Sequence, residues 1–498
     1  MITPNFNIDT DVEVATASVA TTNHPLPGTL KAMIRAQIDS EKQQLVFLDE
    51  EIHRTQALLD KLRQQHTHRS TQLKRYQMCI ASHRDLPREI LSEIFLWSLA
   101  QWGVPVPRRD TDAPWNIIHV CSLWRQLALN MPKLWARVDL NITGPDSTGL
   151  NIRTLQGVIG ASKNFPLFIR AYLPPHNLQR AFGIIFSDIH RLREITLRGH
   201  LDCIEPFLNL PAGLAKSLEI VTVGVSVPPG TLDDSMTDSE LSILKGSTKL
   251  RELTLDILVP YSSIIQLPLA QLTALHLPCS KLHPRAALSI LRQCPSIIQC
   301  TLGLTNDGDD APPDTTPCLL PELTHLALRP CGSTRFDYPQ SLVLPRLTHL
   351  SLTYRRSIPG SAAARNQWIS KFSTVQFLEL DTPLSRQDVK ELLRASPSLT
   401  ELSVPRGAFS ASCLEDIASG ALLPKVRKLT CMINTLHSFH AHLDMLERRK
   451  SESSHAAHIA EVTFVNRSGL KESELSGSAR CKEMVTKGWN IGFMKNRQ

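Results

Sequence analysis

Three histidines, His437, His440 and His442, could ligate a metal if a helix brought their neutral imidazoles to one side. No cysteine or well-placed carboxylate completes the set, so the trio reads as a polar helix face. The run Asn306-Asp307-Gly308-Asp309-Asp310 is acidic, but it lacks the alternating oxygen ligands and terminal glutamate of a calcium loop and reads as a linker. Eleven cysteines are scattered without a single Cys-x-x-Cys pair, which supports neither a zinc ribbon nor a disulfide framework. That usage fits a reducing compartment, cytoplasm or nucleus. The common phosphate-loop, dinucleotide, serine-hydrolase and zincin motifs are absent. No catalytic residue, cofactor or metal is expected of this chain.

Charge and hydropathy narrow the classes further. Lysine and arginine number 54 against 47 acidic residues, a net +7 spread along 498 residues. The densest basic run, Arg448-Arg449-Lys450, is short and reads as a solvated helix end, so a nucleic-acid partner is not expected. No stretch approaches the ~18–20 uninterrupted apolar residues of a membrane helix, and no membrane is expected. The opening residues carry Asp9, Asp11 and Glu13 and no basic residue, unlike a secretory signal; residues 1–29 read as a disordered leader.

The segment 85–137 concentrates aromatic surface. Leu86-Pro87 precedes a run in which Ile90, Leu91, Ile94, Phe95 and Leu99 form one apolar helical stripe, with proline near the start where its missing N–H matters least. A polar, proline-broken loop (residues 101–113) separates it from a second run containing Ile117, Ile118, Val120, Cys121, Trp124, Leu127 and Ala128. Trp97, Trp115, Trp124 and Trp135 lie within forty residues. So much apolar surface on so short a stretch predicts a small helical unit, either capping the rest of the chain or docking on a partner.

The chain beyond residue 137 is repetitive. The form L-x-x-L-x-L, with Ile, Val, Phe or Cys substituting, starts at Leu192, Leu218, Leu250, Leu272, Ile297, Leu323, Leu347, Val375, Leu399, Val426 and Ile459. Strand-type alternation returning every ~22–33 residues predicts a leucine-rich-repeat solenoid over 138–465, with degenerate first units at Leu134–Leu140 and Leu167–Leu173. The stretches 286–295 and 388–397 read as amphipathic helices stopped by proline. A regular repeat places Asn or Cys eight residues after the first leucine; only Cys331 does so here, whereas His200, Leu258, Ser280, Thr305, Arg355 and Gly407 take that place in other repeats. The solenoid is therefore expected to be irregular, with exposed loops at 225–240, 305–318 and 355–366. Residues 466–498 lack the pattern and form a tail or cap.

Residues 30–80 contain neither Gly nor Pro. Their 4-3 spaced series is Ile34, Ile38, Glu41, Leu45, Leu48, Ile52, Thr55, Leu59, Leu62, His66, Arg69, Leu73, Tyr76 and Ile80, with Glu50 and Arg54 at helical i,i+4 spacing. Such a seam buries itself only against another helix, which predicts a coiled coil and self-association through residues 30–80. The alternatives are a long helix folded onto its own domain and an antiparallel hairpin.

The pattern Leu86-Pro87-x-Glu89-Ile90-Leu91-x-x-Ile94-Phe95, then Val120-Cys121-x-x-Trp124-Arg125-x-x-Ala128, then Pro132-x-Leu134-Trp135, resembles an F-box. The combination is similar to F-box-like proteins abundant in mushroom-forming fungi, where a heptad helix precedes the box and irregular leucine-rich repeats come after it. The long loop 101–113 departs from a standard box. The resemblance implies an α/β chain acting as substrate-recognition subunit of an SCF (cullin-RING) ubiquitin ligase: the box docks on the Skp adaptor and the repeats bind a protein substrate. The adaptor-facing residues it implies are Leu86, Pro87, Ile90, Leu91, Ile94, Phe95, Val120, Cys121 and Trp124. Trp135 is expected to pack the box onto the first repeat. The competing expectation is a scaffold that binds through coiled coil and repeats without any ligase.

Overall fold

The computed structural model describes residues 25, 28–80, 84–141, 148–173, 179–225, 240–305, 316–330, 341–353, 373–381, 386–404, 409–452, 455–466 and 475–495. The acidic run 306–310, Cys331, Arg355, Gly407, nearly all of the expected leader and most of the three expected loops lie outside those residues. Contacts divide the chain into two units, Met1–Leu91 and Ser92–Gln498.

The first unit is dominated by α1 (Gly28–Cys79), 52 residues without a break. At 1.5 Å per residue it runs about 78 Å. Continuity rules out the hairpin. No described side chain of α1 is buried, and Leu45, Leu48, Ile52 and Leu62 are each more than half exposed. Arg54 meets Glu50 at 3.6 Å and Glu51 at 2.6 Å, fully solvated pairs that add little.

The second unit is a mixed α/β structure built on one 15-stranded parallel sheet. Its strands are β1 (Val104–Val106), β2 (Arg137–Asn141), β3 (Leu167–Leu173), β4 (Leu192–Gly199), β5 (Ile220–Val225), β6 (Glu252–Asp256), β7 (Ala274–Leu282) and β8 (Gln299–Leu304). It continues through β10 (His325–Pro330), β12 (His349–Thr353), β13 (Phe377–Asp381), β14 (Glu401–Val404), β15 (Lys428–Ile433), β16 (Glu461–Asn466) and β17 (Asn490–Lys495), each strand beside the one before it. Two further strands, β9 (Cys318–Leu319) and β11 (Leu342–Val343), pair only with each other. A parallel neighbour requires a crossover, and helices such as Gln179–Ser187, Pro284–Arg292, Arg386–Arg394 and Ala411–Ala418 supply it. Two of those helices lie where the proline-stopped stretches predict them.

Each of the eleven L-x-x-L-x-L patterns leads into one strand of the sheet. Alternation puts the second and third pattern residues on one face, and all 33 pattern positions are at most 2% exposed. Register stacks them: Ile195, Val221, Leu253, Leu275, Cys300 and Leu326 are successive Cα partners, followed by Leu350, Leu378, Leu402, Leu429 and Val462. Just before the strands, the hydroxyls of Thr273, Thr324, Thr348 and Thr400 donate to carbonyls of the preceding repeat at 3.1–3.2 Å. At the other end Ser280, in the position where Asn or Cys was expected, is buried, its Oγ 2.9 Å from Leu277 O and 3.3 Å from Gly303 O. It serves turn carbonyls of its own repeat and the next.

One expectation changes. The loop 101–113 is not simply polar: Gly103–Val106 is buried, and β1 pairs with β2 in the register Val104↔Val138 and Val106↔Leu140. The segment expected to be a purely helical domain therefore contains the first strand of the sheet. At the C-terminal end, helix Ala479–Thr486 leads into β17, which pairs with β16 over six residues and places Phe493 opposite Phe464. These residues extend the sheet although they lack the leucine pattern.

Candidate functional site

The tryptophan-rich segment is built around α2 (Arg88–Trp97), which opens with the Leu91 amide donating to Pro87 O at 3.0 Å. Its stripe splits between two faces. Leu91 and Phe95, at i,i+4 spacing, are buried; Ile90 (49% exposed) and Ile94 (44%) stand outward one turn apart, and Trp97 is 86% exposed. Leu86 is half-buried and Pro87 exposed.

Helix α3 (Ser122–Leu129) starts at Cys121, whose extended backbone and Sγ, accepting from Trp124 N–H at 3.5 Å, make it the N-cap. The Arg125 Nε–H donates to Ile118 O at 2.9 Å and ties α3 to the turn before it. Trp124 is half-buried with its ring 4.9 Å from that of Phe95, tilted by 57°. Val120 and Leu123 are exposed. The short helix α4 (Pro132–Trp135) carries Trp135 inward, where its Nε1–H donates to Ala128 O at 2.8 Å. Trp115 packs edge-on against it at 5.4 Å and donates to Pro105 O at 3.0 Å, a carbonyl of β1. Buried indole N–H groups need such partners, so Trp115 and Trp135 are framework.

The nine residues implied by the resemblance thus separate by role. Ile90, Ile94, Pro87 and Val120 present surface, Cys121 is exposed but serves as a helix cap, and Leu86 and Trp124 are partly covered. Leu91 and Phe95 are enclosed in the chain by itself.

The open face of the sheet carries residues that the leucine pattern did not mark. Around β2 to β5 a cleft of about 350 Å³ is lined by Trp102, Arg137, Phe168, Arg170, Glu194 and Arg198, among others. The Arg170 guanidinium lies 3.8 Å from the Trp102 ring centroid and 4.8 Å from that of Tyr172. Arg137 covers Phe168 at 4.5 Å and reaches Glu194 at 3.9 Å. Burial raises the Asp139 carboxyl above its usual range, opposed by the charges of Arg170 and Arg109. Further along the same face His325 stacks on His349 at 4.0 Å, and His349 on Phe377 at 5.5 Å. For the strand residues the sequence signal was available, since alternation turns the residues between the apolar positions outward; Trp102, in the turn before β1, carries no such signal.

The histidine trio does not converge. On helix Leu436–Glu452, His437 and His440 are exposed whereas His442 is 1% exposed, its Nδ1 2.6 Å from Ser438 O and its ring between Phe409 and Phe464. Burial lowers its pKa. Among the described residues no group of three or more His, Cys, Asp or Glu is arranged to hold a metal. The basic run is corrected as well. Arg449 is 2% exposed, donating to Ala457 O, Ile417 O and Leu423 O at 2.7–2.9 Å, and Lys450 lies 4.1 Å from the Trp489 ring centroid. Arg449 is an internal fastening, while Arg448 and Lys450 stay exposed at the helix end. No disulfide joins the described cysteines, and burial raises the thiol pKa of Cys294 (to about 12), Cys300, Cys413, Cys431 and Cys481. Among the described residues no helix is long and apolar enough to cross a membrane. No family model and no curated protein matches the chain.

Proposed function

We propose that this chain is the substrate-recognition subunit of an SCF ubiquitin ligase, an irregular leucine-rich-repeat solenoid preceded by an F-box-like segment. The outward side chains of α2, with Val120, dock on the Skp adaptor. The open face of the sheet receives a protein substrate, and the cullin-borne machinery does the chemistry. In this reading the chain accelerates ubiquitin transfer by proximity alone and needs no cofactor. It works in the cytoplasm or nucleus.

The observation that carries the reading is the division of the α2 stripe. Leu91 and Phe95 anchor the helix inward, while Ile90, Ile94 and Trp97 remain exposed although they are large and apolar. A contiguous apolar helix face left in water is the form that helix-in-groove recognition takes. The sheet supports the second half of the reading, because its open face runs across fifteen strands and is lined by arginine, histidine and aromatic side chains.

Co-purification with a Skp adaptor tests it. The folded chain should retain the adaptor through gel filtration, and Leu86→Ala with Pro87→Ala should weaken the complex without changing the thermal transition of the sheet. Failure of the folded chain to bind any Skp adaptor overturns the ligase reading and leaves the binding scaffold in its place.

A further inference from the structure

The apolar series of α1 has no cover within its own helix. Ile38, Leu45, Leu48, Ile52, Leu59 and Leu62 are 45–59% exposed, near what a bare helix allows. Water contact along about 78 Å of such a stripe is unfavourable, and a second helix with the same spacing removes it.

The orientation of that second helix is decided by the charged residues that interrupt the series. Glu41 and Arg69 occupy seam positions, and His66 a third. In a parallel, in-register pair every seam residue faces its own copy. Two carboxylates would then meet at position 41 and two guanidiniums at position 69, like charges held together in the least solvated part of the contact. Reversing one helix removes both clashes. With Leu45 opposite Leu62 of the second copy, the next layers inward are Leu48 with Leu59 and Ile52 with Thr55. Outward, Glu41 meets His66, Ile38 meets Arg69 and Ile34 meets Leu73. The carboxylate then lies against an imidazole with a guanidinium about one turn away, and the aliphatic stem of Arg69 covers Ile38. Glu41 is already oriented by Gln37, whose Nε2 donates to Oε1 at 3.0 Å.

We propose that α1 pairs with α1 of a second copy of this chain in antiparallel orientation, about a two-fold axis between His53 and Arg54. Each layer occurs twice about that axis, so the contact is closed and does not propagate into filaments. The two chains leave the coil at opposite ends, roughly 75 Å apart at 1.5 Å per residue.

The test is a charge-exchange series on the full chain, read by sedimentation equilibrium. Wild type should be a dimer, and Leu48→Glu with Leu59→Glu a monomer with the thermal transition of the sheet intact. Glu41→Lys should raise the dimer dissociation constant at least tenfold, because the lysine now faces His66 and neighbours Arg69. Adding His66→Glu should restore it. A parallel pair predicts the reverse order, since Glu41→Lys exchanges one like-charge layer for another and His66→Glu adds a further one. Independently, oxidation of Leu45→Cys with Leu62→Cys should yield a 45–62 disulfide peptide, which must be between chains because the two sites are about 25 Å apart along one helix. Wild type that stays monomeric at tens of micromolar, dissociation unaffected by Glu41→Lys, or disulfides joining 45 to 45 and 62 to 62 would each overturn the proposal. None of these outcomes depends on whether the chain binds a Skp adaptor.

Discussion

The Phe95 ring rests on Trp124 with centroids 4.9 Å apart and planes tilted by 57°, joining α2 to α3. One ring is 1% exposed and the other half-buried, so the contact is a wall between interior and surface.

That wall separates two kinds of substitution on the same helix. Phe95→Ala should lower stability by about 3–5 kcal/mol, the usual range for deleting a buried aromatic ring. Ile94→Lys, one residue away but exposed, should change stability by no more than about 0.5 kcal/mol. Under the ligase reading it should nonetheless abolish adaptor capture. Denaturant melts and an adaptor pull-down on both variants separate framework from surface.

Gly103 is held at φ +96° just before β1, where an added Cβ would lie 2.5 Å from Arg137 O. Both the left-handed backbone and the close approach to β2 need glycine. Gly103→Ala should destabilise the second unit by about 1–3 kcal/mol, with the first loss of amide-exchange protection at β1 and β2.

Arg449 donates from all three guanidinium nitrogens to backbone carbonyls, and burial pulls its pKa down to about 10, so it stays charged at neutral pH. Arg449→Met keeps much of the volume but leaves those carbonyls unpaired. The expected cost is about 3 kcal/mol or more, measured by urea unfolding.

His442 supplies an acid-sensitive element. Burial lowers its pKa in the folded chain, and among the described residues its Nε2 has no partner to accept or share a proton. The unfolded imidazole titrates near ~6.5, so its contribution is fully present above that pH and is lost as pH falls through the lower folded value. His276, His325 and His458 are shifted the same way by burial. Melting temperatures recorded between pH 7.5 and 5 should therefore fall for wild type, and less steeply for His442→Phe.

Local alternation was enough to find the eleven strands at the leucine patterns, because a strand turns every second residue to one side and the apolar ones must share it. The near-constant spacing also foretold their order, since each crossover is too short to skip a neighbour. The first strand was hidden for a physical reason. Val104-Pro105-Val106 is three residues long with a proline at its centre and another just after it, tolerable only on an edge strand where one side needs no ladder. Its strand conformation depends on β2, more than thirty residues away. The same holds for the tryptophans. Clustering in sequence drew attention to Trp97, Trp115, Trp124 and Trp135, yet only packing decided that two are enclosed with bonded indoles, one is half-covered and one stands in solvent. Arg449 makes the point from the polar side: its neighbours Arg448 and Lys450 suggested a solvated run, and three carbonyls from other segments drew it inside. Periodicity is a property of the chain by itself; which face meets water is settled only when distant segments arrive to cover the other.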